Sequence, residues 1–179
     1  MSKSAQIVEA LRHSRHDWLN QLQLIKGYMA LERYDRMNDV IEEIIQQAHQ
    51  DSKISSLNAP VFAERLLTFN WHNHPYQLAY ECLLERSDLS DKEAKIVRIL
   101  NEGFIAFDKS SQIGEDNHLL LVLKDLDHLT FEWDFHGRIS SFDEIECFIE
   151  RVTTKETGVK CKEKQFMENE IFVSLEIGP

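Results

Sequence analysis

His13-Ser14-Arg15-His16-Asp17-Trp18-Leu19-Asn20 is the stretch on which the fold and the chemistry of this chain turn. At about 100° per residue, Ile7, Leu11, Trp18, Leu22, Ile25 and Met29 fall on one apolar stripe of a helix. His16 projects roughly 180° from the centre of that stripe. Asn20, Gln23 and Gly27 follow it along the same outward ridge, flanked by Arg12, Arg15 and Lys26. A core histidine belongs in the stripe, whereas this one is displayed to solvent. An imidazole on a rigid helix, among cations and amides, suits nucleophilic attack on a phosphoryl group. Spacing alone is equally met by a solvated surface histidine.

Outward from His16, the pattern predicts two long helices. The first spans about residues 4–32, without proline and with only Gly27 inside it. The second spans about 35–57, with Asp35 as its N-cap and Met37, Ile41, Ile44 and Ala48 at three- and four-residue spacing. A connection of a residue or two around Arg33-Tyr34 forces an antiparallel hairpin. A lone hairpin cannot bury both of its apolar stripes, so the pattern calls for a second copy and a four-helix bundle across a dimer interface. Asn58-Ala59-Pro60 breaks the second helix and is expected to divide a domain 1–58 from a domain 59–179.

The remainder reads as α/β. A short helix is expected at about 61–69, a strand at 77–84 and a helix at 91–108. Strands follow at 118–124 and 128–135, the latter alternating Leu129, Phe131, Trp133 and Phe135 with Thr130, Glu132 and Asp134. His136-Gly137 signals a turn. A helix at 141–152 and strands at 159–166 and 170–177 complete an α/β sandwich with mixed or antiparallel strands on one side and helices on the other.

Composition narrows the function. A net charge of −11 argues against nucleic acid as a general partner. The charge is uneven: residues 1–37 hold six Lys/Arg and four Asp/Glu, for +2, leaving −13 to the rest. A locally basic helix on an acidic protein fits docking against an acidic pocket, and fits an ordinary solvated face as well. No apolar run reaches membrane-spanning length and no signal-peptide segment opens the chain, so a soluble cytoplasmic protein without a membrane partner is expected. Cys82, Cys147 and Cys161 form no CxxC pair, which leaves them reduced and structural. His13 and His16 lack a third ligand at suitable spacing, and His72-Asn73-His74 reads as a loop before Pro75, so no metal site is expected. Metalloprotease, Ser-His-Asp and glycosidase patterns are missing.

The string HSRHDWLNQLQLIKG (residues 13–27), continuing into ERYDR (32–36), resembles the sporulation initiation phosphotransferase B family, relatives of sensor histidine kinases. The resemblance continues through Leu67-Thr68-Phe69-Asn70-Trp71, Glu115-Asp116-Asn117-His118-Leu119, Asp134-Phe135-His136-Gly137 and Leu175-Glu176-Ile177-Gly178. It implies a dimeric four-helix bundle followed by a domain resembling the ATPase domain of histidine kinases. It also implies that His16 carries a phosphoryl group within a phosphorelay that controls the initiation of sporulation. The donor would be the aspartyl phosphate of a single-domain response regulator. The acceptor would be an aspartate of a sporulation transcription-factor response regulator. Asp17, Arg15 and Asn20 would support His16, and Arg12, Leu19, Gln23, Lys26 and Gly27 would meet the regulator. Asp17, Arg15 and Lys26 are also compatible with plain surface charge, and Leu24 flanks the ridge or packs against the second helix.

A histidine-bearing hairpin ahead of an α/β domain is also the layout of a histidine kinase. ATP binding there needs a magnesium-holding asparagine and glycine-rich phosphate cradles. Phe107-Asp108-Lys109-Ser110 offers an aspartate in place of that asparagine. Asp134-Phe135-His136-Gly137 stands where Asp-x-Gly-x-Gly is expected, with a glycine out of place, and six glycines occur in all. The expectation is therefore a phosphotransferase without autokinase activity, with no ATP and no cofactor of its own, magnesium coming on the regulator. Two rivals remain from sequence: a divergent histidine kinase, and a non-catalytic dimeric scaffold that docks a response regulator.

Overall fold

A computed structural model describes residues 3–85, 88–125 and 127–178. The chain is α+β and divides into two compact units, residues 1–52 and 53–179.

The first unit consists of α1 (Lys3–Ala30) and most of α2 (Tyr34–Ser55). Between them Glu32 adopts a left-handed backbone at φ 56°. Its N–H reaches the carbonyl of Met29 at 3.1 Å, and that of Arg33 reaches Tyr28 at 2.9 Å. These two bonds close a Schellman turn that satisfies the last carbonyls of α1 and reverses the chain without glycine. The Arg33 carbonyl accepts the first bond of α2, from Met37 N–H at 3.1 Å. Asp35 is therefore not the N-cap expected from sequence. It lies in the first turn of α2, where its charge still favours the helix dipole.

No hydrophobic side chain before Ile54 is buried among the described residues. On α1, Ala10, Ser14, Gln21, Ile25 and Tyr28 are half-buried, spaced three, four or seven apart, as are Met37, Val40, Ile41 and Ile44 on α2. The stripe of Ile7, Leu11, Trp18, Leu22 and Met29 stays in solvent, with Trp18 54% and Leu22 56% exposed.

The second unit begins inside α2. Ile54 and Leu57 are buried, and Lys53 Nζ donates to the Cys82 carbonyl at 3.1 Å. The units thus part ahead of Asn58-Ala59-Pro60, because the last turn of α2 carries side chains that the second core requires. After α3 (Pro60–Leu67) and a 3-10 turn at Phe69–Trp71 come β1 (Gln77–Leu83), α4 (Glu93–Ser110), β2 (His118–Lys124) and β3 (Leu129–His136). Then follow α5 (Asp143–Val152), β4 (Val159–Met167) and β5 (Glu170–Ile177). The expected helix at 61–69 is split in two by Thr68, whose hydroxyl bonds back to the Glu64 carbonyl at 2.7 Å.

The sheet runs β1-β2-β3-β5-β4, with β1 and β2 parallel and the other pairs antiparallel. A parallel pair needs a long crossover, and α4 supplies it. Alternation decides the faces: Leu129, Phe131, Trp133 and Phe135 are buried, while Thr130, Glu132 and Asp134 are half-exposed. Trp133 stacks on Phe107 of α4 at 5.8 Å and meets Phe148 of α5 edge-on at 5.5 Å. Gly103 makes the approach possible, since a Cβ there would lie 2.3 Å from the indole.

Both margins of the sheet are guarded. The Asn70 side chain bonds both backbone groups of Leu78 on the outer side of β1, at 2.8 and 3.0 Å, in place of a neighbouring strand. The opposite margin, β4, presents exposed Lys160, Lys162 and Lys164. Buried Asn117 ties the loops at one end, donating to the carbonyls of Pro75 and Gln112 and accepting from Arg138 N–H at 2.8–2.9 Å. No helix among the described residues is long and apolar enough to cross a membrane.

Candidate functional site

His16 sits midway along α1 with its side chain 72% exposed. Two side chains converge on Nδ1: the Asn20 amide, one turn on, at 3.2 Å, and Asp17 Oδ1 at 3.5 Å. Asn20 arrives by the i,i+4 geometry of the helix. Asp17, adjacent in sequence, reaches the ring by its side-chain torsions. With Nδ1 occupied in this way, Nε2 is the ring nitrogen left to face a partner. When Nδ1 carries the proton, Nε2 holds the free lone pair and is the nucleophile.

The other ridge residues divide. Arg15, Leu19, Gln23, Lys26 and Gly27 are exposed, along with Leu24. Arg12 is turned back along the helix onto the carboxylate of Glu9. The same carboxylate lies 3.3 Å from His13 Nε2. A hydrogen bond from Arg12 holds the Glu9 carboxyl below its ordinary pKa. Arg12 is thus committed within its own helix, which the stripe arithmetic does not show, because Glu9 lies one turn upstream of the motif. Gly27 has open space where a Cβ would be, so nothing in its own chain demands a glycine there.

A second histidine–aspartate pair lies in the second unit. His74 Nδ1 is 2.8 Å from Asp108 Oδ1, and the ring stacks on Phe69 at 3.8 Å. A cavity of about 410 Å³ opens beside it, lined also by Arg65, His72 and Asn101. From sequence, His72-Asn73-His74 reads as a loop and Asp108 as an aspartate where a kinase would hold asparagine. In the fold Asp108 anchors that loop to α4. Burial and the nearby Asp108 charge push the Tyr76 hydroxyl far above its usual pKa. A pair separated by 34 residues leaves no local sequence signal.

Two family models divide the chain between them. Residues 1–57 match the α-helical domain of the sensor kinase Spo0B type, and residues 58–178 match the C-terminal domain of sporulation initiation phosphotransferase B. The chain belongs to the sporulation initiation phosphotransferase B family. A curated relative in Bacillus subtilis (strain 168), named sporulation initiation phosphotransferase B, is 42% identical over 78% of this chain and 76% of its own length. Solved structures of histidine kinases align loosely. A blue-light-activated kinase of Erythrobacter litoralis gives a TM-score of 0.49 at 9% identity, over 90% of this chain and 58% of that one. A kinase of Acinetobacter baumannii gives 0.45 at 11% identity, over 90% and 96%. The fold class and family expected from the sequence both hold.

Proposed function

We propose that this protein is a histidine phosphotransferase of a phosphorelay, receiving a phosphoryl group on His16 from one response regulator and passing it to a second. Family membership supports a transferase role in sporulation initiation. The observation that carries the specific reading is the convergence of Asp17 and Asn20 on Nδ1 of an exposed His16. Asp17, an acceptor beside Nδ1, favours the tautomer that leaves the Nε2 lone pair free, the requirement for an imidazole that must act on a group brought by another protein. The Asn20 amide N–H holds the ring in place while Nδ1 is unprotonated.

In the first step the Nε2 lone pair forms an N–P bond while the P–O bond to the donor aspartate breaks, its electron pair leaving on the carboxylate. The Nδ1 proton stays in place, and the positive charge that develops on the ring is offset by Asp17. In the second step an acceptor aspartate attacks phosphorus, the N–P bond breaks, and the imidazole recovers its lone pair. Both linkages are high in energy, so the chain's task is positioning and electrostatics. Arg15 and Lys26 favour the approach of an acidic receiver, and Leu19, Gln23 and Gly27 form the surface it meets. Magnesium is expected with the receiver, among its own carboxylates. The donor is read as a single-domain regulator and the acceptor as a sporulation transcription factor, in the cytoplasm.

We further infer a homodimer. The solvent-exposed stripe of α1 and the lack, among the described residues, of any buried hydrophobic side chain before Ile54 support pairing of two hairpins into a four-helix bundle.

The test starts from a receiver radiolabelled on its aspartate and freed of nucleotide, mixed with the wild type or with His16→Ala. An unlabelled second receiver is then added. Acid-labile label on the wild type alone, followed by label on the second receiver, is expected. Receiver binding without label on the wild type overturns the relay in favour of a docking scaffold. Label acquired directly from ATP marks a kinase instead.

A further inference from the structure

The outer face of the sheet carries a cluster that the relay does not use. Asp134 and His136 lie two apart on β3, so both project from the same face. Antiparallel register sets His136 opposite Glu170 of β5 on one side and opposite His118 of β2 on the other. His136 also stands within the stretch where the kinase pattern expects glycines.

Ligand atoms of Asp134, His136 and Glu170 all lie within 4.8 Å of one another. His136 Nε2 is 3.1 Å from Asp134 Oδ1. That oxygen is nevertheless shielded from solvent without a hydrogen-bond partner. The two atoms are close enough for an ion pair but make no hydrogen bond. A shielded carboxylate oxygen without an aligned hydrogen bond is costly, and a cation bound between it and the His136 ring would offset that cost.

We propose that Asp134, His136 and Glu170 form a binding site for a divalent cation of the zinc class. One imidazole nitrogen and two carboxylate oxygens fill three positions of a tetrahedral ion, with the fourth open to water. The nitrogen donor favours zinc over magnesium, which prefers oxygen ligands and keeps several of its waters. His118 pairs with Asp116 at 2.9 Å in this structure. As the directly opposed neighbour of His136, it is within reach of the fourth position. The ligands come from paired strands rather than loops, so little ordering is required on binding. The ion would clasp β3 to β5.

The experiment titrates Zn²⁺ into the full chain by calorimetry and follows Co²⁺ by its visible absorption. His136→Ala and Glu170→Gln, both surface changes, are compared with His49→Ala on α2. Expected are visible Co²⁺ bands of a four-coordinate ion and a zinc-dependent rise in the midpoint of thermal unfolding. Both signals should survive His49→Ala and weaken at least tenfold in metal affinity in the other two variants. Midpoints recorded with chelator confirm that each variant is folded. Zinc binding of equal strength in wild type and His136→Ala overturns the site, as does the absence of zinc binding to the folded wild type.

Discussion

Gly27 has no neighbour within 4 Å of the position a Cβ would take, although it sits inside a 28-residue helix. Glycine in a helix interior costs about 0.5–1 kcal/mol relative to alanine. Its own chain gives no reason for that cost, whereas the receiver docking proposed above would supply one. Gly27→Ala is therefore expected to stabilise the helical unit by up to about 1 kcal/mol while slowing phosphoryl transfer. Chemical denaturation and initial transfer rates check the two halves, and a faster transfer would remove Gly27 from the docking surface. At this scale the sequence placed His16 on an exposed polar face of α1, where the structure has it, because its neighbours along that ridge are polar. It did not disclose how Asp17 and Asn20 share Nδ1, since ridge counting places Cβ atoms and says nothing of side-chain torsions. Nor did it disclose the pairing of Arg12 with Glu9, which lies on a neighbouring turn outside the motif.

Between elements, Glu102 is one of the polar ties that join α4 to α5, beside the pair of Lys109 with Glu144. Its two oxygens accept from Arg98 Nε at 2.9 Å and Arg151 Nε at 3.1 Å. Partial burial raises the pKa of this carboxyl, but the hydrogen bonds and charges of the two arginines outweigh it and hold it below the ordinary value. A carboxyl depressed in the folded state contributes stability above its unfolded pKa and loses it as pH falls through the folded one. Glu102→Gln is thus expected to cost about 1 kcal/mol at neutral pH, and to cost progressively less as the solution is acidified through and below the ordinary glutamate range. Urea unfolding of both chains across that range measures it, and a difference independent of pH would mean the charge is not responsible. Elements were legible wherever periodicity was clean, as in the alternation of Leu129 to Phe135, and their ends were off by a residue or two. The allegiance of the last turn of α2 was not legible. Propensity and proline mark where a helix stops, but not which core takes up Ile54 and Leu57.

For the molecule as a whole, the contrast between the two units is one of self-sufficiency. The second unit encloses every buried hydrophobic side chain described, and the first encloses none. Leu22→Glu places a charge in the exposed stripe of α1, far from His16 around the helix. Wild type is expected to sediment as a dimer and Leu22→Glu as a monomer whose second unit still unfolds cooperatively. A wild-type monomer at all concentrations would remove the bundle. The apolar excess of the first unit was readable from sequence, because a two-helix hairpin has more apolar surface than it can cover, and the structure leaves that surface exposed. The order β1-β2-β3-β5-β4 was not, since strand patterns give faces and leave neighbours open. The Asn70 clip on β1 and the lysines along β4 bear on how far such assembly can go. Strand addition can continue without limit, copy upon copy, into a fibril. A sheet guarded at both margins disfavours such open-ended growth, and the pairing of hairpins proposed above would instead use up its helix faces in a finite particle.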